Sequence, residues 1–253
     1  MAAKCADVKA LVTIRQNGFS DWKHPDIILA ASRTPFRDNV QTIHELGGRI
    51  QTKDRRGKTV LMFAAEQPDN LETVKYLISN GADIDAKEKH GMNALMFAAL
   101  ANNVAIADYL IGKGADINSK DEDGWSVLMM VSRRPQNIET VKYLVTHGVK
   151  VDAKARNGRN ALMVAADTPN NLEIIKCLVS HGANVNATRN DGKTALMYAA
   201  MLPQNVEAVK YLANHGADVN AKDENGRTAL MFASKKNNTL ETVKFLAGFR
   251  GGR

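Results

Sequence analysis

Aromatic side chains are scarce in this chain, at 6% of 253 residues, although hydrophobic residues make up 44%. A single globule of this length ordinarily fills its core with more large side chains. The shortage points instead to many thin layers built from small residues. Only two cysteines are present, Cys5 and Cys177. Their spacing matches no metal motif, and one pair says little about redox compartment. No run of about 18 apolar residues occurs, so nothing reads as a membrane span. The opening MAAKCADVKALVTIRQ is interrupted by Asp7, Lys9 and Arg15 and does not read as a signal peptide. A cytoplasmic location is expected, although an exported form whose leader had been removed would read the same. No GxSxG, HExxH, CxxC or P-loop pattern is present. The sequence therefore assigns no catalytic residue, no cofactor and no metal ligand, and the expectation is a protein that is not an enzyme.

What the chain has is a beat. Gly57, Gly91, Gly124, Gly158, Gly192 and Gly226 are separated by 34, 33, 34, 34 and 34 residues. Gly81, Gly114, Gly148, Gly182 and Gly216 keep the same period. A fixed spacing of this length marks an array of repeats, which offers a long surface in place of one deep pocket.

One unit, Thr194 to Gly226, reads TALMYAAMLPQNVEAVKYLANHGADVNAKDENG. Thr194 is a hydroxyl N-cap for a short helix with a small-residue face, Ala195, Leu196, Ala199 and Ala200. Pro203 stops that helix. Asn205 reads as the N-cap of a second helix, as do Asn70, Asn103, Asn137 and Asn171 in other units. Val206, Val209, Leu212 and Ala213 give that helix an apolar stripe. Gly216 is the expected C-cap, and Ala217 to Asn225 reads as an extended segment ending in a tight hairpin tip.

The opening recurs from Thr59 (TVLMFAA), Asn93 (NALMFAA), Ser126 (SVLMMVS), Asn160 (NALMVAA) and Thr228 (TALMFAS). It resembles the T-P-L-H-x-A-A opening of ankyrin repeats, and the G-A-D-V-N-A close resembles theirs. The likeness runs from Ser20 to about Phe249. Methionine (Met62, Met96, Met129, Met163, Met197, Met231) stands where the family usually has histidine, and most units carry one extra residue between the helices. Tetratricopeptide repeats share the 34-residue period but lack the G-A-D-V-N-A-K-D-x-x-G turn. The openings resemble those of bacterial members more than animal ones. The resemblance implies an all-α repeat solenoid, an ankyrin-like stack of helix-loop-helix units with β-hairpin fingers, in one domain over 1–253. The expected divisions are a capping helix at 1–19, a degenerate repeat at 20–53, repeats at 54–87, 88–120, 121–154, 155–188 and 189–222, and a C-terminal capping repeat at 223–253.

Several stripes follow from the period. His147, His181 and His215 recur just before the C-cap glycine. Stacked helices lie about 8–10 Å apart, whereas zinc needs nitrogens about 2 Å from the metal. The histidines therefore read as favourable cations at helix C-termini. The aligned methionines read as core fillers, with Met92, Met130 and Met201 off that register and open to a place on the binding side. Cys177 replaces the tyrosine of Tyr76, Tyr109, Tyr143 and Tyr211 and reads as a small core residue. Lys75, Lys142, Lys176, Lys210 and Lys244 each follow a glutamate by three residues, as expected of a solvated outer face.

Unit-to-unit variation is concentrated beside the tip glycines and at the ends of the first helices. The resemblance implies that these positions line a partner-binding surface. The candidates are Arg55, Arg56, Lys58, His90, Met92, Trp125, Arg133, Arg134, Arg156, Arg159, Lys193 and Arg227. Trp and Arg are the types enriched in interface hot spots. Net charge is +7, and residues 1–58 hold 11 Lys/Arg against 6 Asp/Glu, so the basic excess lies at one end. Residues 88–154 carry eight charges of each sign. A nucleic-acid binder needs a continuous basic track with aromatics interleaved for stacking, and neither reads from the sequence. The expected partner is a protein with an acidic patch, met by a monomer, with no small-molecule substrate. An inhibitor or immunity-type protein would use the same surface, and the nucleic-acid or anionic-surface alternative rests on the basic end.

Overall fold

The computed structural model describes residues 25–33, 37–45, 47–235 and 240–249. The capping helix expected at residues 1–19 lies outside them. The chain divides into two compact units, Met1–Ile117 and Asn118–Arg253.

Among the described residues there are fourteen α-helices and no strand. In the first unit the inner helices are α1 (Pro25–Ala31), α3 (Val60–Ala65) and α5 (Ala94–Leu100). The outer ones are α2 (Arg37–Glu45), α4 (Leu71–Ser79) and α6 (Val104–Gly112). The second unit has inner helices α7 (Val127–Val131), α9 (Ala161–Ala166), α11 (Ala195–Ala200) and α13 (Ala229–Lys235). Its outer helices are α8 (Ile138–Thr146), α10 (Leu172–Ser180), α12 (Val206–Asn214) and α14 (Leu240–Gly248). Within each unit, inner helices stack on inner and outer on outer, and each inner helix also packs on the outer helix of its own repeat.

The inner helices start as the sequence demands. Thr59, Asn93, Ser126, Asn160 and Thr194 accept a hydrogen bond from the backbone N–H of the methionine three residues on, at 3.0–3.4 Å. Five of the six aligned methionines, Met62, Met96, Met129, Met163 and Met197, are buried. Met231, in the last repeat, is 50% exposed. Met130 is buried too, whereas Met92 and Met201 are half-buried. The outer helices close with a bond that spans five residues, such as Ala217 N–H to Leu212 O at 3.0 Å and Ala183 N–H to Leu178 O at 3.0 Å.

The asparagines before the outer helices do something other than the capping expected of them. None of Asn70, Asn103, Asn171 and Asn205 makes a side-chain cap bond. Each instead turns its amide into the stack and donates to carbonyls of the preceding repeat. Asn70 Nδ2 reaches Ser32 O (3.0 Å) and Asn103 Nδ2 reaches Gln67 O (2.9 Å). Asn171 Nδ2 reaches Ser132 O (2.8 Å), and Asn205 Nδ2 reaches Ala166 O (2.9 Å) and Thr168 O (3.1 Å). The carbonyls at a helix C-terminus lack intrahelical donors, and an asparagine amide supplies them where a cap oxygen could not. Asn70 and Asn171 also bond the end of their own inner helix, at Ala64 O and Ala165 O.

The fingers are compact turns, not β-hairpins. Among the described residues only isolated bridges occur, Lys53 with Thr59 and Lys120 with Ser126. Each turn is closed by a backbone bond over five residues, as from Asp54 N–H to Lys58 O (2.9 Å) and Asp121 N–H to Trp125 O (3.0 Å). Neighbouring turns are joined by one further bond: Lys89 N–H to Arg56 O, Arg156 N–H to Asp123 O, Asn190 N–H to Asn157 O, and Glu224 N–H to Asp191 O, at 2.8–3.1 Å.

That linkage makes a testable difference between two glycines with the same backbone shape. Gly192 (φ +78°) and Gly226 (φ +70°) both sit at tips in the left-handed region. A Cβ on Gly192 would lie 3.0 Å from Asp223 Cα and from Glu224 N of the next turn, whereas one on Gly226 meets nothing within 4 Å. We expect Gly226→Ala to cost about 1 kcal/mol of left-handed strain, and Gly192→Ala about 3 kcal/mol once the neighbouring turn is displaced. Urea unfolding measures the pair, and equal losses would show that the turns are not packed against each other.

Candidate partner-binding surface

The turns position the candidate side chains. The first residue of a turn is usually acidic, and its carboxylate accepts two backbone N–H groups from within the turn. Asp54 takes those of Arg56 and Lys58, both at 2.8 Å, and Asp121 takes those of Asp123 (3.0 Å) and Trp125 (2.7 Å). Asp223 does the same for Asn225 and Arg227. Burial pushes the Asp121 carboxyl above the ordinary value, against the pull of those N–H bonds. Burial also raises Asp223 and Asp191, but there the bonds from Arg227 and from Lys193 outweigh it, and both carboxyls sit below the usual range. A lowered carboxyl gives stability that is present above about pH 4 and lost as pH falls through the folded value.

Half of the candidates are exposed: Arg55, Arg56, His90, Arg133, Arg134 and Arg156. Lys58, Met92, Trp125, Arg159, Lys193 and Arg227 are half-buried, and the four cations among them lean on aromatic rings or on carboxylates. In the first unit, Lys58 Nζ lies 4.4 Å from the Phe63 ring centroid and 4.0 Å from that of Phe97, and pairs with Glu66 at 2.5 Å. Arg33 covers Phe63 at 4.3 Å. In the second unit, Arg159 lies 6.0 Å from the Trp125 ring and 5.0 Å from that of Tyr198, and pairs with Asp167 at 2.5 Å. Arg133 lies 5.7 Å from Trp125. Lys193 pairs with Asp191, Arg189 donates to Tyr198 Oη at 3.1 Å, and Arg227 pairs with Asp223 at 2.7 Å while lying 4.8 Å from Phe232.

Each unit thus carries a ladder of rings and cations, which sequence reasoning missed. Phe63, Phe97, Tyr198 and Phe232 come from the inner helices. Their signal was a ring five residues after the residue that follows a tip glycine, as in Lys58–Phe63 and Arg227–Phe232. Aromatics therefore do interleave with the basic residues, contrary to the expectation that none do. Their faces are met by the chain's own cations, which is different from a row of open stacking platforms.

The outer side is laid out as expected. Lys75, Lys142, Lys176 and Lys210 pair with Glu72, Glu139, Glu173 and Glu207 at 2.7–2.9 Å, and Lys210 also meets Glu241 at 2.6 Å. Such exposed pairs contribute little. His147, His181 and His215 occupy C-cap positions, with Nδ1 2.7–2.8 Å from the carbonyl oxygen four residues earlier. His147 stacks on Tyr143 (3.9 Å) and His215 on Tyr211 (3.8 Å). Among the described residues no three His, Cys, Asp or Glu side chains converge as a metal site. Cys177 is not the core residue expected. It is half-buried on the outer face, beside a depression of about 680 Å³ lined in part by Ile138, Ile174 and Tyr211. Burial raises its thiol, which keeps it protonated at neutral pH. No helix among the described residues is long and apolar enough to cross a membrane.

The geometry defines a class first: helical repeats that hold a constant core while presenting turns and helix ends whose side chains differ from repeat to repeat. A family model of ankyrin repeats matches the chain in three copies, over residues 27–121, 114–189 and 170–251. The chain belongs to the ankyrin repeat family, whose repeats generally serve as protein–protein interaction modules. No curated protein matches it.

Proposed function

We propose that this chain is a non-enzymatic protein-binding module that meets a protein partner through its tip turns and inner-helix ends. The observation that carries the reading is the contrast between constant and variable positions. Caps, methionines and asparagine donors repeat in register, while the tip-flanking positions run from Lys58 to Met92, Trp125, Arg159, Lys193 and Arg227. Stability explains the constant set, and recognition is what the variable set is suited to. Arg55 and Arg56 are exposed at the first tip, at the basic end of the chain, where an acidic patch on the partner would be steered.

The Arg55→Glu/Arg56→Glu double variant should slow association with the isolated partner by about tenfold at low salt. Added salt should shrink the difference as the Debye length shortens. A titration with random-sequence duplex DNA and single-stranded RNA at physiological salt gives a partner-independent test. Sub-micromolar binding with a steep salt slope would replace the protein-partner reading with nucleic-acid binding.

A further inference from the structure

Eight residues after the tip-flanking position stands a residue at the end of the inner helix. In two repeats it is acidic and neutralises the cation stacked on a ring: Glu66 pairs with Lys58 and Asp167 with Arg159, both at 2.5 Å. In the repeat between residues 121 and 154 the arrangement is inverted. The ring, Trp125, occupies the tip-flanking position, and the helix-end residue is Arg133, exposed, with its guanidinium 5.7 Å from the indole centroid. Among the described residues no carboxylate pairs with Arg133. Arg159 lies 6.0 Å from the same ring but is already held by Asp167.

We propose that the Trp125–Arg133 pair receives an aspartate or glutamate side chain of a protein partner. The partner then supplies in trans the carboxylate that Glu66 and Asp167 supply within the chain. This deepens, and rests on, the protein-binding reading above. A guanidinium resting on an indole is weakly hydrated and presents a planar fork that matches a carboxylate with two parallel bonds. The nearby indole attracts the guanidinium face at 5.7 Å, so part of the side-chain freedom is restricted before binding. A single carboxylate fits better than a phosphate chain. The neighbouring cations Arg159, Lys193 and Arg227 are neutralised by Asp167, Asp191 and Asp223, and the exposed Glu122 and Asp123 at the same tip add negative charge. Beside the indole, the cation that no carboxylate pairs with among the described residues is one guanidinium, that of Arg133, and it is not part of a continuous basic track.

The test uses the full-length chain and a displayed library of random 12-residue peptides. Selected peptides are synthesised as they are, and again with each acid replaced by its amide. They are expected to share an Asp or Glu whose amide form binds about tenfold more weakly, the scale of one charge-assisted hydrogen bond. Arg133→Gln should cause the same loss, and combining the two changes should add little more. Arg133→Glu should bind best to peptides in which that acid is replaced by lysine, a rescue that a merely structural role would not give. Thermal melts check that the variants are folded. Peptides that depend on Trp125 but ignore Arg133 would overturn the carboxylate assignment and leave the protein-binding reading standing. A library with no binder sensitive to any tip residue would overturn both, and so would single-stranded RNA binding at physiological salt that is lost in Arg133→Gln.

Discussion

Asn171→Asp is expected to destabilise the protein by about 4 kcal/mol at pH 7, the scale of an uncompensated buried charge. Asn171 is 2% exposed, and its amide donates to Ser132 O and Ala165 O. Aspartate has the same shape but no N–H, so a carboxylate would face two carbonyl oxygens with no donor between them. The alternative role makes the opposite forecast. At an N-cap, Asp is as good as Asn, and its charge is favourable beside the helix N-terminus, so a capping asparagine would tolerate the change. The pH dependence is also signed. A carboxyl placed among carbonyls has its folded pKa raised above the unfolded value near 4. The penalty is therefore largest at neutral pH and shrinks as pH falls toward and below the unfolded value. Asn103→Asp is the graded control, because Asn103 is only half-buried and donates to Gln67 O. Urea unfolding at pH 7 and pH 4 measures all three proteins. An Asn171→Asp variant as stable as the parent would return the residue to the capping role.

This comparison shows where sequence was enough. The period, the Thr59-type caps, the buried methionines and the glycine tips depend on contacts within one repeat or on its regular neighbour, so one unit read locally predicts them. Asn171 was placed correctly at the start of an outer helix. One of its two hydrogen-bond partners, however, is 39 residues earlier, and no local rule distinguishes an amide that caps from one that turns into the stack. Cys177 was misplaced for a related reason. Position in the repeat was right, but the outer-helix tyrosines it replaces, Tyr143 and Tyr211, are themselves only half-buried, so a smaller side chain there opens a depression and joins no core. The ring–cation ladder was half legible. Lys58 and Phe63 are five residues apart, but Lys58 also reaches Phe97 and Arg159 reaches Tyr198, contacts that cross from one repeat to the next. The twelve candidate positions were chosen by their variation, and that Lys58, Arg159, Lys193 and Arg227 among them are paired with carboxylates emerged only from geometry.

Trp125→Ala is expected to weaken binding of a protein partner, or of a selected peptide, by at least about 2 kcal/mol, roughly thirtyfold. The residue joins three properties that mark a hot spot. It is large, it is half-buried before any partner arrives, and it is flanked by the guanidinium groups of Arg133 and Arg159. A partner that covers it buries most of the remaining ring and drives water from two cations at once, which strengthens their attraction to the indole face. The cost to the fold should be smaller, about 1 kcal/mol, because Trp125 is only half-buried, precedes the inner helix, and loses two cation contacts at 5.7 and 6.0 Å. Trp125→Phe separates area from ring electrostatics. It keeps most of the apolar surface but has a weaker quadrupole, and should fall between the parent and Trp125→Ala in affinity while melting like the parent. The measurements are a thermal melt and an affinity titration on the same samples. A large melting loss with unchanged affinity would make Trp125 a packing residue, and the recognition surface would then have to be centred on the other tips.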